Sequence, residues 1–187
     1  MAYRYCEWIW MAVGLVWLLG AFRLKPADRR EGAGSLLFHR GVTVAAYLLL
    51  FYYRLGVGPL AWRYLPGWPG IAWAGLAITA AGGAFAVWAR LLLGGNWSAS
   101  VTVKQDHRLI RRGPYRIVRH PIYTGLLTSM LGTALALGEI RGLIGFAIAS
   151  LGWTIKSGVE ESFMIAQFGD EYRQYRREVR RLIPFVL

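Results

Sequence analysis

The feature that most limits what this chain can become is a series of five apolar stretches. A helix that crosses the hydrocarbon core of a bilayer needs about 20 mostly apolar residues. Stretches at about residues 3–22, 41–55, 68–93, 121–138 and 143–156 approach that length once interfacial ends are counted. Hydrophobic residues make up 56% of the 187, more than a soluble fold of this size carries. The nine Trp and ten Tyr suit the two headgroup levels. The sequence therefore predicts an all-α integral membrane protein with about five transmembrane helices. It reads as one membrane domain over 1–187: three spans in 1–93, then a polar cytoplasmic loop, a helical hairpin and a C-terminal amphipathic helix in 94–187. Stretches four and five form the hairpin, separated by the polar break Gly138-Glu139-Ile140-Arg141-Gly142.

The net charge of +12 follows from where the basic residues fall. If loops alternate between sides, seventeen Lys and Arg face one side and only Arg4, Arg54, Arg63 and Arg141 the other, with Arg90 near the end of the third stretch. The positive-inside rule then puts the N-terminus outside and the C-terminus in the cytoplasm. Anionic lipid headgroups are the expected partners of that basic face, and nucleic acid is not needed to explain it. No small-x-small cleavage pattern follows the first stretch, and Arg23, Lys25, Arg29 and Arg30 do, so it is expected to stay as a helix. No obligate protein partner is evident.

Polar groups able to do chemistry gather in two stretches, 96–125 and 156–175. In the first, Pro121 suits the opening position of a helix, whose unpaired N–H groups favour an anion. Gly125, one turn on, would let a ligand approach the backbone; an ordinary helix start is the simpler reading. In the second, the fifth stretch has only fourteen uncharged residues from Gly142 to Ile155, about 21 Å at 1.5 Å each, too short for a core of about 30 Å. The helix is expected to continue through Lys156, Glu160 and Glu161. Lys156 and Glu160, four apart, either pair with each other or hold opposite charges of a ligand. Further on, Phe168, Tyr172, Tyr175, Val179 and Leu182 recur at steps of three and four, an amphipathic pattern that could pack on the loop before helix four or rest on headgroups.

Other chemistries lack their signatures. Cys6 is the only cysteine, which excludes an internal disulfide and a cysteine-based structural zinc site. His39, His107 and His120 show no metal-binding spacing, so no metal is expected. Ser98 and Ser100 sit in no nucleophile motif, and Gly94-Gly95-Asn96 reads as a helix stop rather than a phosphate loop.

Taken together, Asn96-Trp97, His107-Arg108-Leu109-Ile110, Gly113-Pro114-Tyr115, Arg119-His120-Pro121-Ile122-Tyr123-x-Gly125, Glu160-Glu161 and Phe168-Gly169-Asp170-Glu171-Tyr172 resemble the isoprenylcysteine carboxyl methyltransferases. The resemblance covers roughly residues 90–187. It implies S-adenosylmethionine as cofactor, held by His107, Arg108, Leu109, Ile110, Tyr115, His120, Pro121, Ile122, Tyr123, Gly125 and Glu160. It implies a lipophilic acceptor entering from the bilayer, most readily the carboxylate of an isoprenylcysteine-like molecule. Lys156 stands where the family usually has an arginine thought to bind the substrate carboxylate; it keeps the charge and loses the bidentate fork. For an amine acceptor, as in a phospholipid N-methyltransferase, Glu161 is a conceivable proton acceptor, with a structural salt bridge as the plainer role. Lys156 and Glu161 are thus the candidate catalytic residues. A membrane reductase using a nicotinamide cofactor and a noncatalytic scaffold are the other readings.

Overall fold

The structure is a computed structural model that describes residues 2–21, 27–30, 32–94, 102–104 and 109–184. The protein is an integral membrane protein built almost entirely of helices: α1 (Ala2–Ala21), α2 (Ala33–Phe51), α3 (Pro69–Leu93), α4 (Pro121–Leu137), α5 (Ile140–Phe168) and α6 (Asp170–Glu178). α2, α3 and α5 are each long and apolar enough to cross a membrane. α4, at 17 residues, is a shorter apolar helix, and α1 carries Arg4 and Glu7 in its first turns. The five expected stretches are thus five helices, of which three meet the full length and apolarity of a span.

The boundaries follow local chemistry. Pro69 and Pro121 open α3 and α4, where a missing N–H costs nothing. Gly138 ends α4 in the left-handed region at φ 70°, which lets α5 begin two residues later as an antiparallel hairpin. Gly169, at φ 55° and ψ −124°, holds a conformation that only glycine adopts readily and breaks α5 from α6.

α2 begins eight residues before the expected span and ends four before its end. Apolarity marks depth in a bilayer, whereas His39 and Arg40 are compatible with a helix that extends beyond it. A two-stranded antiparallel ribbon, β1 (Ala27–Arg30) with β2 (Thr102–Lys104), joins two segments predicted as loop. Strands of three and four residues carry too little alternation to be read from sequence.

α3 and α4 make the closest helix contact. Gly75 and Gly82 face Gly132 and Gly125: a Cβ on Gly82 would lie 2.6 Å from the Gly125 carbonyl oxygen, and one on Gly132 2.5 Å from Thr79 N. Small residues let backbones approach in an apolar medium, where helix packing rests on dispersion and short hydrogen bonds. Ser129 Oγ donates to Thr79 O at 2.9 Å, and Trp10 Nε1 donates to Thr133 Oγ1 at 3.0 Å, tying α1 to the same seam.

The loops sort onto two ends. At one, Tyr64 N donates to Gly138 O and Ile140 N to Trp62 O. At the other, the ribbon, the segment before α4 and the C-terminal segment meet α5. This is the alternation on which the charge argument depends.

Candidate active site

α5 runs unbroken for 29 residues, about 43 Å at 1.5 Å each, which exceeds a hydrocarbon core of about 30 Å by roughly 13 Å. Trp153, Lys156 and Glu160 recur at steps of three and four along it, which turns one face toward the start of α4. Tyr123 stacks with both His120 and Trp153, each ring centroid 5.8 Å from its own. Its hydroxyl donates to Glu160 Oε1 at 2.5 Å. Lys156 Nζ is 6.0 Å from the centre of the same ring.

His120 is buried and bridges two carboxylates, with Nδ1 3.3 Å from Glu160 Oε2 and Nε2 3.3 Å from Glu161 Oε1. Both ring nitrogens can donate only in the imidazolium form. Burial alone would lower the pKa of His120; hydrogen bonds and charge from Glu160 and Glu161 outweigh it and hold the pKa above its ordinary 6.5.

The two adjacent carboxylates differ sharply. The side chain of Glu160 is 23% exposed, fixed by Tyr123 and His120 yet open on one side. That of Glu161 is 3% exposed and ringed by guanidiniums: Arg119 at 2.7 Å, Arg176 at 3.2 Å and Arg181 at 3.5 Å. A carboxylate enclosed by three arginines presents no open face to an acceptor. Its geometry is that of the salt-bridge role rather than of a proton acceptor.

The C-terminal segment completes the site. Tyr172 and Tyr175 of α6 are buried, and Tyr175 Oη donates to Tyr115 O at 2.5 Å. Beyond α6 the chain is extended alongside the start of α4: Arg119 N donates to Arg180 O at 2.8 Å, His120 N to Arg181 O at 3.0 Å, and Thr124 Oγ1 to Leu182 O at 2.6 Å. Of the two placements expected for this segment, packing on the loop before α4 is the one found. Val179 and Leu182 fall outside the helix, because Val179 is already extended.

Among the residues expected to hold a cofactor, the fold brings Tyr115, His120, Pro121, Ile122, Tyr123 and Glu160 to this end of the bundle, with Leu109 and Ile110 on the approach to the short helical turn at Gly113–Arg116. Pro121 and Ile122 are buried, and Tyr115 directs its hydroxyl inward to Ala89 O. His107 and Arg108 lie outside the described residues. Gly125 is a correction: its bare face meets α3, where a Cβ would lie 2.6 Å from Ala86 N, so the close approach it permits is that of a helix and not of a ligand. Sequence reasoning singled out no role for Trp153, Arg119, Arg176 or Arg181. Trp153 could have been found from its i, i+3, i+7 spacing with Lys156 and Glu160; Arg119 opens the motif that continues through His120 to Gly125, and Arg176 and Arg181 had no signal beyond their charge.

The sequence model of the phospholipid methyltransferase family, by that description, matches residues 71–171, more than half of the chain. The chain belongs to the phospholipid methyltransferase family. The match takes in α4 and all of the His120–Glu160–Glu161 cluster. Protein-S-isoprenylcysteine O-methyltransferase of Schizosaccharomyces pombe is 36% identical over 85 residues, 44% of this chain and 35% of that protein. Its counterpart in Tribolium castaneum is 30% identical over 131 residues, 66% and 46% of the two chains. Methanethiol S-methyltransferase of Mycobacterium tuberculosis is 39% identical over 72 residues, 38% and 28%. The chain thus spans under half the length of these curated relatives. Among solved structures, the eukaryotic intramembrane Ras methyltransferase ICMT (isoprenylcysteine carboxyl methyltransferase) superposes with a TM-score of 0.55 at 26% identity, over 79% of this chain and 52% of that one. Within the phospholipid methyltransferase family, then, the likeness runs to the isoprenylcysteine methyltransferases.

Proposed function

We propose that this protein transfers a methyl group from S-adenosylmethionine to a lipophilic acceptor, the carboxylate of an isoprenylcysteine-like molecule. The observation that carries the reading is Glu160: a carboxylate held rigidly by Tyr123 and His120, open on one side, at the end of a membrane helix. Such a group fits the cofactor's ammonium, since a pre-oriented carboxylate makes a strong charge-assisted hydrogen bond. The family match and the relatives' printed names, which give oxygen and sulfur acceptors for one kind of transfer, support the same reading.

When bound, S-adenosylmethionine supplies an electrophilic methyl on a positively charged sulfur. The protein's own residues position and shield. Glu160, with Tyr123 and His120 behind it, fixes the donor end. Lys156, one turn before Glu160 on the same face of α5, offers a cation to an acceptor carboxylate. That acceptor is already ionised and needs no base, so alignment supplies much of the rate. Glu161 acts by holding Arg119 and the C-terminal segment against His120. A largely apolar cavity of about 560 Å³, lined by Trp10, Met11, Trp17 and Phe51 among others with Glu7 as its charged member, reaches α4 at Leu126, one turn from Tyr123, and suits the acceptor's hydrocarbon chain. The basic end of the bundle is read as cytoplasmic.

The test is calorimetric titration of detergent-solubilised protein with S-adenosylhomocysteine, then a methylation assay comparing a prenylated cysteine carboxylate with phosphatidylethanolamine. Saturable binding and methyl-ester formation are expected. Absence of binding by folded protein would overturn the reading, and methylation of phosphatidylethanolamine alone would move the acceptor from carboxylate to amine.

A further inference from the structure

Between α6 and the segment that follows it lies a concavity of about 420 Å³ whose lining is Arg119, Arg173, Arg176, Arg177, Arg180 and Arg181. Six guanidiniums around one hollow repel each other unless anions neutralise them. Within the protein, Glu161 serves Arg119, Arg176 and Arg181, and Asp170 pairs with Arg173 at 2.8 Å. Of the other acids on α6, Glu178 is taken by Arg111 at 2.8 Å and Glu171 is exposed in the first turn. Arg177 and Arg180 are exposed and have no carboxylate partner among the described residues. The hollow therefore keeps a large positive excess.

The hollow is also held in shape. Tyr172 and Tyr175 pin α6 to the body, and the carbonyls of Arg180 and Arg181 accept from Arg119 N and His120 N, which fixes the backbone opposite. A basic face that merely lies on solvent would need none of this. α6 follows α5 across the single break at Gly169, and the hollow adjoins Glu161, which lies on the part of α5 that exceeds the length of a bilayer core of about 30 Å.

From these observations we infer that the six-arginine hollow is a binding site for a phosphate-bearing anion, which adjoins the methyl-transfer site through Glu161 and its partners Arg119, Arg176 and Arg181 but does not depend on that reading. Guanidinium forks match phosphate oxygens in pairs, and a concave basic wall concentrates the field on a bound anion. The volume exceeds a bare phosphate and accommodates a phosphodiester with its glycerol.

The experiment uses the full chain in detergent. Native mass spectrometry measures retention of phosphatidylglycerol against phosphatidylcholine by wild type, by Arg177→Gln/Arg180→Gln, and by Arg112→Gln/Arg116→Gln, which removes equal charge from exposed positions outside the hollow. Wild type should favour phosphatidylglycerol. The hollow variant should lose that preference by about tenfold or more, and the control should keep it. Equal losses in both variants, or no preference in wild type, would overturn the proposal. Titration with millimolar inorganic phosphate at constant ionic strength identifies the source: displacement of the lipid assigns the site to soluble phosphates, and resistance assigns it to the headgroup.

Discussion

The two ends of the bundle each bury an arginine against a glutamate, and they do so to different effect. At the end where α4 turns into α5, Arg141 meets Glu139 at 2.6 Å, and its remaining donors reach carbonyls at the close of α2, Leu49 O at 3.0 Å among them. One cation meets one anion, and orphan helix carbonyls absorb what is left. At the other end, two glutamates face His120 and three arginines, one glutamate is sealed and the other is left open. A buried ion pair is balanced when its work is to close a helix hairpin. Where charge is unbalanced and one acid stays accessible, the surplus is available to a ligand.

Substitutions can break this comparison. The largest effect is expected from Glu161→Gln, which strands three arginines; breaking a buried network of this kind costs about 3–5 kcal/mol, and thermal unfolding in detergent should show it. Arg141→Gln should cost about 1.5–3 kcal/mol, the range for hydrogen bonds to a charged group, while leaving binding of S-adenosylhomocysteine intact. If that binding falls as well, the two ends are not separate in function. Glu160→Gln sharpens the contrast: cofactor affinity should drop by at least about tenfold, roughly 1.4 kcal/mol, with little change in the melting temperature. A melting temperature that falls as far as that of Glu161→Gln would remove the distinction between the two acids.

The smallest effect is a pH dependence. Because the pKa of His120 is raised in the folded protein, the stability it contributes is fully present below about 6.5 and is lost as pH rises through the folded value. Unfolding curves between pH 6 and 9 should show that decline, and His120→Gln should flatten it. A wild-type profile no steeper than that of the variant would mean His120 is not charged between its two acids.

The helical stretches and the motif residues were legible in the sequence because each rests on local information: apolar length, proline at a helix start, glycine at a stop. Glu160 could be singled out because a charge at the end of a short apolar run demands a partner. The different fates of Glu160 and Glu161 were not legible. They sit on one helix 100° apart, and which one meets the arginines depends on how the C-terminal segment returns to α4 over about 60 residues of chain. Gly125 misled for a related reason. A glycine near a helix start permits a close approach, and the sequence alone does not say whether a ligand or a neighbouring backbone makes it.

The glycine seam has a bearing on traffic through the bilayer. Where carbonyl oxygens of one helix lie within about 2.6 Å of where the other's Cβ would stand, there is no width for a hydrocarbon chain, and α3 with α4 forms a closed wall. A molecule moving sideways in the membrane is turned away there. An apolar cavity lies instead between α1 and α2, lined by Trp10, Trp17, Tyr47 and Phe51, and under the proposed function it is there that an acceptor would find a door.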